Sequence, residues 1–364
     1  MKRTVLLNPG PVNVTERVRQ ALLKPDLCHR EKEFTDLMQS IRSKLVRAFG
    51  IQNDYDAVLT TGSGTAALEM VVSSCLSEGR SMLVIRNGVY GERISAMADA
   101  YGLNTLCLDT PWGEPPILDA VEQALKQNSD IEVVALVHHE TTTGLLNPVH
   151  EVGEMAQKYK KRFLVDSISG LAGDPLDFDR AGVDFCVGTA NKCLQGFPGV
   201  SFVLVRKTEL PRLAKIPERS HYFNLYKNHQ AQEKGDTLFT PAVQIHYALD
   251  VALDELIEET VTGRINRYSR AAAMLREGFQ EMGLEFIVPE EHRSNTLTAL
   301  KLPKGATYPE LHDHLKEKGF VIYAGQKKLS ESIFRIANMG DITTEEFQRL
   351  LDTLKNCISS STLS

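Results

Sequence analysis

Five chemically capable groups occupy one kind of place in this chain, directly after a short apolar run. Residues 57–60 lead into Thr61-Gly62-Ser63-Gly64-Thr65, and residues 82–85 lead into Asn87-Gly88-Val89-Tyr90-Gly91. Residues 133–137 precede His138-His139-Glu140-Thr141-Thr142-Thr143-Gly144, residues 163–165 precede Asp166, and residues 185–187 precede Gly188-Thr189-Ala190-Asn191-Lys192. The first loop has the glycines of a tight turn and leads into a helix pattern. Free N–H groups and a positive dipole end there, with the hydroxyls of Ser63 and Thr65, make a phosphate cradle. The other four supply an aromatic ring, a run of hydroxyls, a carboxylate and a lysine.

Pyridoxal 5'-phosphate needs that set. Its phosphate suits a helix N-terminus and its ring an aromatic partner such as Tyr90. Its pyridine nitrogen suits a carboxylate, Asp166, that keeps it protonated, and its aldehyde a lysine amine, Lys192. That lysine must be uncharged to attack, and burial beside a cationic cofactor lowers its pKa. Each residue alone is a weak signal. Their order is a strong one, because open α/β sheets bind ligands beyond the carboxyl ends of their strands.

The elements that must position these groups follow from hydrophobic patterning. Strands are expected at 57–60, 82–85, 133–137, 163–165, 185–187 and 202–205, several apolar on both faces as in a buried, mostly parallel sheet. Helices are expected between them at 65–76, 92–101, 118–127 and 149–159, which gives α/β alternation with crossover connections. The texture changes near residue 260. A helix at 268–282, strands at 296–302 and 320–323 around a helix at 308–318, a strand at 333–337 and a helix at 344–357 form an α+β pattern. The chain therefore divides into a large domain, 1–260, whose first 15 residues can pack on the small one, and a small domain, 261–364. The polar tail 359–364 is expected to fray.

With 364 residues the chain is too long for one average domain, and 42% hydrophobic with 24% charged residues is the balance of a globular protein. A net charge of −6 without a basic block excludes a nucleic-acid or anionic-membrane partner. No signal peptide or membrane span is recognisable, so the expected location is cytoplasmic, and the six cysteines, with no Cys-x-x-Cys, read as free thiols.

Two other chemistries compete for the same residues. Gly62-Ser63-Gly64-Thr65-Ala66-Ala67 fits the G-x-G-x-x-A dinucleotide fingerprint. No acidic residue ends the next strand, so only an NADP-dependent oxidoreductase working through Arg86 stays open. His138-His139-Glu140 lacks H-E-x-x-H spacing, and adjacent strand residues point to opposite faces, so the pair reads as structural and no metal is expected. Cys193 reads as a buried, inert thiol.

Over nearly its whole length the sequence resembles the class-V, fold-type-I aminotransferases, and among them those that act on 2-aminoethylphosphonate and pyruvate. Asn8-Pro9-Gly10-Pro11, Gly62-Ser63-Gly64, Asn87-Gly88-Val89-Tyr90-Gly91, Glu140-Thr141-Thr142-Thr143-Gly144, Ala190-Asn191-Lys192-Cys193-Leu194-Gln195-Gly196 and Phe334-Arg335-Ile336 carry the resemblance, as do the 26 residues from Asp166 to Lys192. It implies the PLP-dependent transferase fold (type I) and a homodimer with shared sites. It implies that Lys192 holds the cofactor and shuttles the proton, Asp166 pairs with the pyridine nitrogen, Tyr90 stacks on the ring and Thr141 bonds the ring hydroxyl. Ser63, Gly64 and Asn191 would hold the phosphate, with Thr240 reaching in from the partner subunit. Arg335 would clamp the substrate carboxylate. Arg30 and Arg219 are the candidates for a phosphonate donor. Residues 28–34 equally resemble the alanine– or serine–glyoxylate aminotransferases, and Ala337 replaces a glycine, so that donor class is the alternative.

Overall fold

Runs of Val, Ile and Leu become the centre of one sheet, and in the strand Ile131–Val137 every residue is buried. The structure, a computed structural model, describes residues 3–361. Its main sheet has seven strands in the order Tyr55–Gly62, Gly199–Arg206, Phe185–Thr189, Arg162–Asp166, Ile131–Val137, Ser81–Arg86, Asn104–Asp109. Only Gly199–Arg206 runs antiparallel to its neighbours. The other six point the same way, so their carboxyl ends share one edge; Val137, Asp166 and Val187 lie in one row across it. Helices Gly64–Ser74, Val89–Ala100, Leu118–Gln127 and Val149–Lys158 connect the strands.

The edge strand Asn104–Asp109 and the helices Lys32–Ala48 and Val243–Glu259 add to the expected elements. The first of those helices buries Phe34, Leu37, Met38, Ile41 and Leu45, a helical spacing diluted by charges on its other face.

A second, three-stranded antiparallel sheet orders Leu297–Lys301, Ile333–Ala337 and Tyr323–Ala324. Helices Val261–Glu281, Tyr308–Glu317 and Thr344–Ser361 accompany it, over a core that includes Leu275, Phe279, Leu315 and Phe334. The helix expected from 268 begins seven residues earlier, where the Thr260 hydroxyl accepts the Gly263 N–H at 3.0 Å. The strand expected at 320–323 is two pieces in different sheets. Phe320–Val321 pairs in parallel with Val5–Leu6 near the N-terminus, and Tyr323–Ala324 pairs with the strand that carries Arg335. The last helix continues to Ser361, into the tail expected to fray; residues 362–364 of that tail lie outside the described residues. Among the described residues no helix is long and apolar enough to cross a membrane.

Leu136 is fully buried at the centre of the sheet. Leu136→Ala is expected to cost about 2–5 kcal/mol, read as a lower urea midpoint at unchanged slope.

Candidate active site

The turn after Ile131–Val137 organises the site. The short strands His139–Glu140 and Leu145–Leu146 pair, leaving Thr141 to Gly144 as the tip. The buried Glu140 carboxylate accepts four hydrogen bonds: from Thr142 Oγ1 at 2.6 Å, Thr142 N at 3.1 Å, Tyr90 N at 3.1 Å and Gly91 N at 3.3 Å. Thr142 Oγ1 in turn accepts the Val89 N–H at 3.0 Å. Three consecutive first-turn N–H groups of the helix Val89–Ala100 thus find acceptors on the turn, where the helix dipole favours negative charge. Gly88 permits the approach, since a Cβ there would sit 2.2 Å from Glu140 Cδ. Burial still pushes the Glu140 carboxyl up to about 7.

This cap fixes the start of the helix that carries Tyr90 and, one turn on, Arg93. The Arg93 guanidinium lies 4.7 Å from the Tyr90 ring centroid and donates to Thr65 Oγ1 at 3.1 Å. Thr65 belongs to the first turn of the helix Gly64–Ser74, where the N–H groups have no partner within the helix and Ser63 is exposed. The other side of the turn meets the small sheet. Arg335, buried, donates through Nη1 to Thr141 O and through Nε to Ala324 O, each at 2.8 Å. Thr141 Oγ1 is buried with no hydrogen-bond partner.

Asp166 ends its strand on the shared edge, buried, with Oδ1 accepting the Ile168 N–H at 3.1 Å. Burial pushes it up to about 6, against the pull of Arg93 and Lys192. Lys192 stands on the turn after Phe185–Thr189, beside Asn191, whose Oδ1 accepts from Thr189 Oγ1 at 2.9 Å. Burial lowers the Lys192 amine to about 8, with Arg335 and Arg93 acting in the same direction and Asp166 opposing. The N-terminal segment lies over this side chain. Gly10 has φ +103°, and a Cβ on it would come within 2.6–2.8 Å of Lys192 Cδ, Cε and Nζ.

An unpartnered hydroxyl on Thr141, a buried carboxylate, a depressed amine and an open helix N-terminus are the complements of a ring hydroxyl, a pyridinium, an aldehyde and a phosphate. The residues present therefore fit pyridoxal phosphate. Ser63, Gly64, Thr65, Tyr90, Thr141, Asp166, Asn191, Lys192 and Arg335 all lie on the loops, helix starts and strand that meet at this edge. Three other candidates do not join them within one chain. Thr240 is exposed on the loop before the helix Val243–Glu259. Arg30, also exposed, pairs with Asp236 and donates to Thr237 O at 2.8 Å, bracing that same loop. Arg219 donates to Ser73 O at 3.3 Å, at the far end of the helix that starts at Gly64.

The competing chemistries lose their residues. Arg86 is committed to Asp109 through Nε and Nη2, each at 2.7 Å, and cannot greet a ribose phosphate. Burial lowers His138 and His139 to about 3, and their Nδ1 atoms face Ser167 Oγ at 2.9 Å and Ser169 O at 3.3 Å. Among the described residues the one group spaced to hold a metal is Asp56, His229 and Glu233, elsewhere, where Lys207 and Arg42 already pair with its carboxylates. Cys193 is buried and its thiol is pushed up to about 12 by that burial. Sequence reasoning missed the cap made by Glu140, the packing of Gly10 on Lys192, and Arg93. Its available signal for Arg93 was the i, i+3 spacing from Tyr90.

A family model described as aminotransferase class-V matches residues 17–347. The 2-aminoethylphosphonate–pyruvate transaminase of Lysinibacillus sphaericus (strain C3-41) is 36% identical over 360 residues, 98% of this chain and 98% of that protein. The enzyme of the same name from Vibrio cholerae serotype O1 is 36% identical over 362 residues, 97% of each. Among solved structures, alanine–glyoxylate aminotransferase from Nostoc sp. matches with a TM-score of 0.93 at 27% identity, covering 98% of this chain and 96% of that one.

Glu140→Ala strands the first-turn N–H groups of the Tyr90 helix and is expected to cost about 2–4 kcal/mol in denaturant unfolding. Since the neutral amine is the nucleophile, the rate at which the apo-protein captures pyridoxal phosphate should rise with pH through about 8 and level off above it, as followed by stopped-flow absorbance. A rate that stays flat from pH 7 to 9 contradicts the depressed lysine.

Proposed function

The chain belongs to the class-V aminotransferase family and is a pyridoxal-phosphate-dependent transaminase; from that premise we propose that it moves the amino group of 2-aminoethylphosphonate to pyruvate, giving phosphonoacetaldehyde and alanine. The observation that carries this reading is the 36% identity, across 98% of both chains, to a relative of that name. The enzyme works as a cytoplasmic homodimer. Thr240 supports that arrangement: it is exposed on a loop braced by the ion pair of Arg30 with Asp236, where a second copy can meet it.

When bound, the cofactor supplies an aldehyde that takes the amine and an electron-withdrawing ring that loosens the neighbouring C–H bond. The chain's residues do the rest. Lys192 holds the cofactor between turnovers. With the cofactor bound, Lys192 Nζ would be the group to hold and move the proton of the amine-bearing carbon, a task suited to an amine near neutrality. Asp166 would pair with the pyridine nitrogen and keep it protonated. Tyr90 would stack on the ring, Thr141 Oγ1 would bond the ring hydroxyl, and Ser63, Gly64, Thr65 and Asn191 would hold the phosphate. Among the described residues Arg335 Nη2 makes no hydrogen bond, and it would be presented to the carboxylate of pyruvate or alanine. Arg30 and Arg219 reach a phosphonate only from a second copy, since within one chain each is tied elsewhere.

The match to the alanine–glyoxylate aminotransferase of Nostoc sp. favours a second reading, transfer from alanine or serine to glyoxylate. The two readings separate in the first half-reaction. Mixing the cofactor-loaded enzyme with one amine at a time, 2-aminoethylphosphonate should bleach the near-visible band fastest, alanine should also react as the product in reverse, and serine should not. If alanine or serine bleaches the band and the phosphonate does not, the phosphonate reading falls and the glyoxylate one replaces it.

A further inference from the structure

Arg93 is a cation without an anion. Among the described residues it takes part in no ion pair, and one of its five N–H groups is used, in the 3.1 Å bond to Thr65 Oγ1. The side chain is half-buried. Its guanidinium lies over the Tyr90 ring, a ring whose own backbone is pinned by Glu140. A guanidinium keeps its five donors in one plane, and four of the five here have no acceptor among the described residues.

The neighbourhood makes the missing anion conspicuous. Thr65 lies in the first turn of the helix that begins at Gly64, where the dipole is positive; the Ala66 N–H bonds Ser63 O at 2.8 Å, and among the described residues those of Gly64 and Thr65 meet no acceptor. Arg93 therefore adds positive charge to a place that is already positive. Its charge also reaches Lys192, where it helps lower the amine, and Asp166, where it helps lower the carboxyl. Glu92, the adjacent carboxylate, is taken by Lys327 at 2.6 Å. Arg335, the other guanidinium near Lys192, spends two nitrogens on backbone carbonyls of Thr141 and Ala324 and stands on the opposite side of the turn.

We propose that Arg93 binds a tetrahedral –PO3 group at the Thr65 end of the site, as a second anion-binding residue distinct from Arg335. This rests on the proposed transaminase reading, which brings two such groups to the site: the phosphate ester of the cofactor and the phosphonate of the amine substrate. Three oxygens on one phosphorus match the remaining fork of donors together with the helix N–H groups, whereas a planar carboxylate fills only part of them.

Arg93→Gln keeps a side chain long enough to reach Thr65 and removes the charge. Two paired measurements read its effect. The apo-protein is titrated with pyridoxal phosphate and with pyridoxal, which lacks the phosphate, and dissociation constants are taken from cofactor absorbance. The cofactor-saturated protein is then titrated with 2-aminoethylphosphonate and with alanine, and half-saturation is read from bleaching of the band. If Arg93 serves the cofactor, the variant binds pyridoxal phosphate at least ten-fold more weakly and pyridoxal within two-fold of wild type. If it serves the substrate, half-saturation for 2-aminoethylphosphonate rises at least ten-fold and that for alanine stays within two-fold. Either pattern supports the assignment and names the source of the –PO3 group. Equal losses for the phosphorus-bearing and phosphorus-free member of both pairs, or no change above two-fold in any of the four, overturn it. Wild-type protein that takes up no pyridoxal phosphate overturns instead the transaminase reading on which the assignment rests.

Discussion

The site depends on one buried carboxylate. Glu140 has lost its water, and the chain replaces that solvation with four hydrogen bonds from two elements remote in sequence. A charge placed there without them would be several kcal/mol too costly to keep. The same bonds also serve as geometry. They dock the helix Val89–Ala100 onto the tip of the next strand's turn, which settles where Tyr90 and Arg93 start. They also hold the turn in a shape that turns Thr141 Oγ1 inward and Thr141 O toward Arg335. Glu140, Thr141 and Thr142 thus divide three jobs among adjacent residues: capping, contact with the site, and contact with the small sheet.

Around this frame the charges are balanced by burial. Asp166 and Lys192 are both displaced toward neutrality, to about 6 and about 8, because neither has water enough to support full charge. The shifts bring an acid and an amine from opposite ends of the scale to within reach of neutral pH. Burial holds the amine down, and the charges of Arg335 and Arg93 add to it.

Much of this was legible in the linear sequence, for a physical reason. Strands such as Ile131–Val137 are apolar on both faces and announce themselves by composition, and a parallel sheet sends the residues after them to one edge. The place of Asp166 and Lys192 at that edge therefore follows from position alone, as does the change of texture near residue 260. Contacts between elements were not legible. The helix Lys32–Ala48 hides its apolar stripe among charges, and the edge strand Asn104–Asp109 is only partly covered, so neither stands out by hydrophobicity. Arg30 and Arg219 have the right chemistry, but the chain ties the first to Asp236 and the second to the end of a helix, which no periodicity reveals. Arg93, with no special residue type to mark it, gained its position from the cap that Glu140 makes.

The pairing of Val5–Leu6 with Phe320–Val321 has a consequence for how the protein is born. The segment that lies over Lys192 precedes its partner strand by about three hundred residues and so leaves the ribosome well before it. While the large sheet folds behind the ribosome, Val5 and Leu6 have no partner strand, although Val12 and Val14 already find large-domain side chains to pack on. Closing so long a loop is entropically slow, so it belongs among the last events of folding. The segment above the pocket is therefore clamped at its outer end only when residues 320–321 are in place, and a nascent chain halted before them lacks that clamp.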